Sequence, residues 1–166
     1  MEINIRPMAE NDWPAVAEIY RQGIATGKAT FQYEIPAYSE WNAGHIAECR
    51  FTACEGDKVV GWASLSKVSS RPVYAGVAEV SIYIAESARG KRVGMQLLNH
   101  LIRESEKYGF WLLQSGIMED NEPSIRLHED CGFRRVGLRE KIGKDTNGKW
   151  RSTVLMERRS KVAGID

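Results

Sequence analysis

The chain has 166 residues, of which 43% are hydrophobic and 27% are charged, so it is long enough for one domain with a substantial core and too short for two. Its formal net charge of +1 gives no electrostatic basis for binding nucleic acid or an anionic membrane. No apolar run approaches the roughly 20 residues that cross a bilayer, and the three cysteines fit neither a disulfide framework nor a zinc site. We therefore expect a cytoplasmic protein with reduced thiols and no bound metal.

Hydrophobic periodicity divides the chain into alternating strands and helices. In chain order it predicts strand 2–6, helix 11–24, an aromatic-containing loop at 25–38, helix 39–48 and a hairpin of strands 51–54 and 59–67. The second half reads as strand 78–84, a helix from about 95 to 108, strand 110–117, helix 121–131 and closing strands at 133–142 and 149–157. No linker or repeat interrupts this order, so we expect one domain over residues 1–159, followed by a frayed tail at 160–166.

The most informative stretch runs from Ala78 to Leu98. Apolar and polar residues alternate from Ala78 to Ile84, which is typical of a strand, and apolar residues recur at helical spacing after Val93. Between them lies a basic turn at residues 89–94 that is punctuated by glycines. Backbone N–H groups at a helix N-terminus lack intrahelical partners, and the helix dipole adds positive potential there. The turn is therefore suited to binding an anion such as a pyrophosphate.

Two motifs stand out, at residues 89–94 and at residues 121–133. Arg89-Gly90-Lys91-Arg92-Val93-Gly94 is similar to the Arg/Gln-x-x-Gly-x-Gly/Ala signature of the GNAT family of N-acetyltransferases, and the segment 121–133 resembles that family's second motif at the expected distance downstream. Each lies in the strand–turn–helix context that the family requires. Within the family, the chain is most similar to the branch of phosphinothricin and methionine sulfoximine acetyltransferases, through residues 5–7, 29–31, 78–84 and 148–150.

The resemblance implies an α/β (α+β) fold, the GNAT fold, with a mixed sheet of about seven strands and four helices that splays between its fourth and fifth strands. Acetyl-CoA, the co-substrate, is expected in that cleft, with its pantetheine arm bonded to the strand edge and its pyrophosphate held by the turn. By this match the cofactor-binding residues are Ile82, Tyr83, Ile84, Arg89, Gly90, Lys91, Arg92, Val93, Gly94, Asn121 and Ser124. Arg92 departs from the family pattern, which usually has glycine there. A left-handed arginine would cost about 1–2 kcal/mol, so we expect right-handed geometry at Arg92.

Acetyl transfer to an amine requires removal of a proton from the amine and delivery of a proton to the departing thiolate. The resemblance gives Glu79 and His128 these catalytic roles. Glu79 is expected to act through water or with a raised pKa, and the alternative is a glutamate ion-paired on a strand face. His128 stands where many members have a tyrosine that acts as an acid. It is a candidate acid or base relay, and the alternative is a structural helix histidine. His45 and His100 lack such a context, and we expect them at the surface.

The acceptor site is less clearly marked in the sequence. An amino-acid-like substrate needs a cation for its carboxylate and aromatic walls for its body. We assign these roles to Arg71, Tyr74 and Phe31, with Lys67 and Tyr33 as further candidates. Loop packing or solvation explains each of these residues equally well.

The last hairpin departs from the family pattern. Members of this branch often carry an acidic residue near Trp150, whereas this chain has Arg151 and Ser152. This difference leaves it open whether the acceptor is the usual one. Relatives pair through this end of the sheet, so Trp150 belongs either to the core or to a dimer interface. We expect a homodimer.

The predicted activity is acetyl transfer from acetyl-CoA directly to the α-amine of a small amino-acid-like molecule, such as phosphinothricin or methionine sulfoximine or sulfone. Direct attack is favoured over an acyl-enzyme because Cys131 lies at a helix end, where we expect it to pack. Two alternatives stay open. The same fold acetylates peptide N-termini or polyamines, and a non-catalytic module that binds acetyl-CoA would share these motifs. No nucleic acid or membrane partner is expected.

Overall fold

The computed structural model describes residues 2–166, which form a seven-stranded sheet with four α-helices packed around it. The strands are β1 (Ile3–Pro7), β2 (Phe51–Glu55), β3 (Lys58–Lys67), β4 (Val77–Ile84), β5 (Leu112–Met118), β6 (Arg134–Lys144) and β7 (Trp150–Arg159). The helices are α1 (Trp13–Ala25), α2 (Tyr38–Gly44), α3 (Val93–Lys107) and α4 (Glu122–Asp130). The predicted mixed α/β architecture is confirmed.

The strands lie in the order β1-β2-β3-β4-β5-β7-β6. Every neighbouring pair is antiparallel except β4 and β5, which run parallel. A parallel pair needs a crossover connection, and α3 supplies it between these two strands. The sequence between residues 77 and 118 therefore forms one βαβ unit at the centre of the sheet.

The sheet splits between β4 and β5. Their pairing is confined to Val77, Ala78 and Glu79, opposite residues 112–114. On its other side β4 stays paired with β3 as far as Ile84, opposite Gly61. The second half of β4 therefore presents an unpaired backbone edge to a cleft, as the resemblance implied.

The side chains of β4 contribute to layers on both faces of the sheet. Tyr83 packs against Tyr20 of α1, with ring centroids 4.9 Å apart. Ile84, one residue later, lies beside Gly94 of α3. Helix α3 buries an apolar stripe consisting of Val93, Leu97, Leu98, Leu101 and Ile102. Between residues 2 and 166, no helix has both the length and the apolar character needed to cross a bilayer.

Helix α2 ends earlier than the predicted boundary at residue 48, because the chain becomes extended at His45. The His45 ring stacks on Trp41 with centroids 4.3 Å apart, and its Nδ1 lies 2.7 Å from Oγ of Ser64 on β3. His100 is likewise half-buried. Its ring packs edge-on against the Phe51 ring, with the two centroids 4.6 Å apart. The expectation that both histidines lie at the surface was therefore wrong. Their contacts come from distant strands, which local sequence does not reveal.

The segment after β7 packs against the domain. The N–H of Ser160 donates to the carbonyl of Trp111 at 2.8 Å, and its hydroxyl donates to a carboxylate oxygen of Glu106 at 2.6 Å. The guanidinium of Arg159 donates to the carbonyl oxygens of Ala163 and Gly164. These bonds anchor the segment that was expected to fray.

Candidate active site

Two cavities open where β4 and β5 separate, with volumes of about 340 and 780 Å³. The smaller is lined by Glu79 and His128, and the larger by the turn that begins α3. The residues that line both are Ala29, Ile82, Tyr83, Asn121 and Ser124. The two cavities therefore meet at the unpaired edge of β4.

The wall of the larger cavity includes the basic turn. Arg89, Gly90, Arg92, Val93 and Gly94 line it, whereas Lys91 does not. Lys28 and Arg126 add positive charge from the loop after α1 and from α4, and Asp120 and Asp130 add negative charge. The free N–H groups of the first turn of α3 and this cluster of cations fit a diphosphate.

Arg92 adopts left-handed geometry, with φ 63° and ψ 17°, so the expectation of right-handed geometry was wrong. Arg92 is the N-cap of α3, and its carbonyl accepts the N–H of Gln96 at 3.2 Å. Gly90, two residues earlier, also has a positive φ, 77°. The turn keeps the conformation that glycine usually provides, at a cost of about 1–2 kcal/mol for an arginine.

The edge of β4 between Ile82 and Ile84 connects the two cavities. Across the cleft, α3 approaches α4 closely, since a Cβ added to Gly94 would lie 3.1 Å from a methyl group of Leu127. The N-terminus of α3 lines the larger cavity. A linear chain with amide groups could extend a strand along this edge by hydrogen bonds to the backbone.

Glu79 lies at the fork of the sheet, in the last residue pair that joins β4 to β5. Its side chain is exposed, and Oε1 accepts a hydrogen bond from Nε2 of Gln114 at 3.3 Å. No described basic side chain forms an ion pair with it. An ion-paired glutamate on a strand face is therefore not what the structure contains.

His128 is 1% exposed and lines the smaller cavity from α4. Its Nδ1 lies 2.7 Å from the carbonyl oxygen of Ser124. A carbonyl only accepts, so Nδ1 carries the proton and Nε2 holds a lone pair. Nε2 is buried without a hydrogen-bond partner among the described residues. Burial lowers the pKa of His128, outweighing the bond to Ser124, so the ring is neutral near pH 7.

The other predicted residues divide into two groups. Asn121 caps α4 by accepting the N–H of Ser124 at 3.4 Å, and both line the cavities. Phe31 lines the smaller cavity. Arg71 and Tyr74 line neither cavity, and the Arg71 guanidinium instead lies 5.5 Å from the centre of the Tyr74 ring in an exposed loop. The structure brings Phe31 together with the catalytic candidates but does not bring Arg71 and Tyr74 to them.

Comparison with known proteins identifies the family. Residues 13–133 match the family model described as the Acetyltransferase (GNAT) family. The chain belongs to the GNAT family. It is therefore an acetyl-CoA-dependent acetyltransferase, with acetyl-CoA as its co-substrate.

Several relatives of this GNAT enzyme span nearly its whole length. It is 32% identical over 160 residues to the phosphinothricin N-acetyltransferase of Alcaligenes faecalis, covering 93% of this chain and 81% of that one. It is 26% identical over 163 residues to the L-methionine sulfoximine/L-methionine sulfone acetyltransferase of Pseudomonas paraeruginosa, covering 95% and 94%. A crystal structure of a GNAT phosphinothricin acetyltransferase from Sinorhizobium meliloti in complex with acetyl-CoA superposes with a TM-score of 0.87, at 28% identity, over 100% of this chain and 92% of that one.

Sequence reasoning missed several polar residues of the GNAT enzyme's smaller cavity. They come from the loop after α1 and from the inner faces of β5 and β7, namely Thr30, Gln32, Ser115 and Thr153. Ser115 and Thr153 are buried. For Ser115 the available signal was a polar residue within the mostly apolar strand predicted at 110–117, because such a residue usually has a functional or hydrogen-bonding reason to be there.

Proposed function

We propose that this GNAT enzyme acetylates the α-amine of a small amino-acid-like molecule bound in the smaller cavity. Phosphinothricin and methionine sulfoximine or sulfone, for which its relatives are named, represent the class. The observation that carries the proposal is the unpartnered Nε2 of the buried His128 in a cavity of about 340 Å³ that meets the larger cavity. A cavity of this size suits a compact acceptor.

The residues of the larger cavity would hold acetyl-CoA, which supplies an activated acetyl thioester. The N–H groups at residues 89–94 and the side chains of Arg89 and Arg92 would bind the diphosphate, and the neighbouring Lys91, which does not line the cavity, would add positive charge to the turn. The backbone of residues 82–84 would bind the pantetheine amides as an added strand, with Asn121 and Ser124 on the opposite wall. The two cavities meet at the edge of β4, which supports the assignment of acetyl-CoA to the larger cavity and of the acceptor to the smaller one.

His128 would act as the general base. Because Nδ1 is committed to the Ser124 carbonyl, the lone pair of Nε2 is available to take a proton from the attacking amine. The imidazolium then holds this proton at Nε2 and returns it to the departing sulfur. The proton lost by nitrogen is thereby the proton gained by sulfur, so the transfer needs no other acid.

Glu79 would orient the acceptor. Its carboxylate lies at the fork, is exposed to solvent and forms no ion pair with the described residues, so it attracts the ammonium form of the amine. Solvent water at this position can carry a proton away. Phe31 would form one wall of the cavity. Among the described residues that line it there is no lysine or arginine. An acceptor carboxylate would therefore need a cation from outside these walls, and Arg71 and Tyr74, which line neither cavity, do not supply one in this arrangement.

The lack of a lysine or arginine among the described residues that line the smaller cavity favours a second class of acceptor. Glu79 gives the smaller cavity its charge, since it is the acidic residue among the described residues that line the cavity, and His128 there is neutral. A carboxylate without an accompanying cation also suits amines that lack an acidic group, such as polyamines or peptide N-termini. These acceptors are the alternative to the amino-acid-like class.

We also propose that the enzyme is a cytoplasmic homodimer that pairs through β6. This edge strand exposes Val136, Leu138 and Ile142, and Trp150 of β7 is exposed nearby. An exposed apolar edge strand is a ready site for pairing with a second chain. Light scattering of the purified protein tests this: Leu138→Glu is expected to shift a dimer toward monomer, and a wild-type monomer would refute the proposal.

Thiol release from acetyl-CoA tests the function. The acceptor panel comprises phosphinothricin, methionine sulfoximine, methionine sulfone, neutral amino acids, a polyamine and a short peptide. Turnover greatest with the first three supports the proposal, whereas a preference for the polyamine or peptide transfers it to the alternative class. His128→Gln is expected to lower kcat about 100-fold or more while calorimetry detects unchanged binding of acetyl-CoA. If His128→Gln and Glu79→Gln both retain full turnover, the assigned catalytic roles are wrong.

A further inference from the structure

The guanidinium of Arg151, at the start of β7, connects three separate loops. Its Nη1 donates to the carbonyl of Gly27 at 2.9 Å and contacts Oδ2 of Asp145 at 3.3 Å. Its Nη2 donates to Oδ1 of Asp120 at 2.7 Å. The Arg151 side chain is only 12% exposed. These three partners come from the loop after α1, the β6–β7 turn and the loop between β5 and α4.

A second contact runs parallel to this one. Nδ2 of Asn121, the residue after Asp120, donates to the carbonyl of Lys28, the residue after Gly27, at 3.1 Å. Helix α1 packs on β3 and β4, whereas α4 follows β5. The two contacts therefore join elements that lie on opposite sides of the split in the sheet.

The residues that follow this bridge form a wall of the smaller cavity. Lys28 is followed directly by Ala29, Thr30, Phe31 and Gln32, all of which line it. The geometry points to Arg151 as a positioning residue that fixes the acceptor loop, residues 29–32, across the cleft. This inference deepens the proposed function, on which its kinetic part rests, by naming what sets the shape and size of the acceptor site.

Arginine suits this position because its planar fork reaches several acceptors at fixed angles. Asp145 is a rigid anchor, since its carboxylate also accepts the N–H groups of Asn147 and Lys149 at 2.9 Å each. These backbone bonds and Arg151 hold the pKa of Asp145 below its usual value, so it stays ionised. An acidic residue at position 151 would repel both Asp120 and Asp145. The loop would then need a different attachment.

Steady-state kinetics with acetyl-CoA and the best acceptor test the role of Arg151. Arg151→Met is expected to raise the acceptor KM about 10- to 100-fold, because a shift of about 1 Å in a positioning loop can cost that much. The dissociation constant of acetyl-CoA, measured by calorimetry, is expected to change less than about twofold. Arg151→Lys keeps the charge but not the fork, and it should restore only part of the loss. Arg103→Met, at an exposed position of α3, is the control for loss of one positive charge.

Hydrogen–deuterium exchange provides a readout that does not need turnover. Arg151→Met should speed exchange of the amides at residues 27–32 while α3 and β3 keep wild-type protection. Faster exchange with an unchanged acceptor KM overturns the proposal, and so does unchanged exchange of this loop. If the wild-type enzyme acetylates none of the panel, the proposed function fails, whereas the exchange data still decide whether Arg151 fixes the loop.

Discussion

Nδ1 of His128 lies 2.7 Å from the carbonyl oxygen of Ser124, one turn earlier on α4. This bond fixes the tautomer, because a carbonyl oxygen accepts and does not donate. It also turns Nε2 away from the helix backbone and leaves it without a partner among the described residues. The His128 ring therefore holds a free lone pair on Nε2, which a fully satisfied helix histidine would not have.

Nuclear magnetic resonance of the imidazole nitrogens tests this arrangement directly. We expect His128 to populate the Nδ1–H tautomer and to titrate below 6.5, because burial lowers its pKa. The chain has three histidines, so His45→Asn and His100→Gln assign the remaining signals. A proton on Nε2 in the free enzyme, or a midpoint at or above 6.5, would contradict the proposed base.

Replacing Arg92 by glycine is expected to stabilise the protein. Relief of the left-handed strain is worth about 1–2 kcal/mol, and the greater freedom of glycine in the unfolded chain offsets about 0.5–1 kcal/mol of it. The free energy of unfolding, measured in urea, should therefore rise by about 0.5–1 kcal/mol. Arg89→Gly is the matched control at φ −67°, where glycine brings no relief and should be destabilising. Equal effects of the two substitutions would argue against strain at Arg92.

The parts of the fold that depend on local sequence were predicted correctly. The strand, turn and helix around Arg89 follow from periodicity and helix-terminus chemistry, and their order carried the family resemblance. The conformation of Arg92 was missed because the demand of the turn overrode the preference of the side chain. The early end of α2 was missed because His45 bonds Ser64, 19 residues away.

The cavity walls were the least predictable part of the site. Arg151 reaches Gly27 across 124 residues, a separation that no periodic pattern reports. Thr153 was hidden within a strand whose alternation looked ordinary. Such contacts depend on tertiary packing, so the sequence indicated Glu79 and His128, which line one cavity, but not the surface that surrounds them.

Adding one methyl group at Gly143 is expected to disturb the acceptor site. A Cβ there would lie 3.0 Å from two ring carbons of Phe31, which lines the smaller cavity, so the ring must move. We expect Gly143→Ala to raise the acceptor KM about threefold, equivalent to about 0.7 kcal/mol, with unchanged affinity for acetyl-CoA. Gly137→Ala in the same strand is the control, since its Cβ would meet nothing within 4 Å. A parallel loss of acetyl-CoA affinity would show that the wall serves the cofactor instead.

Burial and the nearby charge of Arg50 lower the pKa of His45 to about 4. As the pH falls below about 6.5, the unfolded chain therefore takes up a proton on His45 that the folded protein does not bind until about pH 4. The resulting stability is fully present above pH 6.5 and is lost as the pH falls toward 4. At pH 5 the free energy of unfolding should be about 2 kcal/mol lower than at pH 7.5 from this group alone. His100 and His128 have lowered pKa values and act with the same sign. Urea unfolding at both pH values should show a smaller difference in His45→Asn than in the wild type. An equal difference in the two proteins would place the acid sensitivity elsewhere.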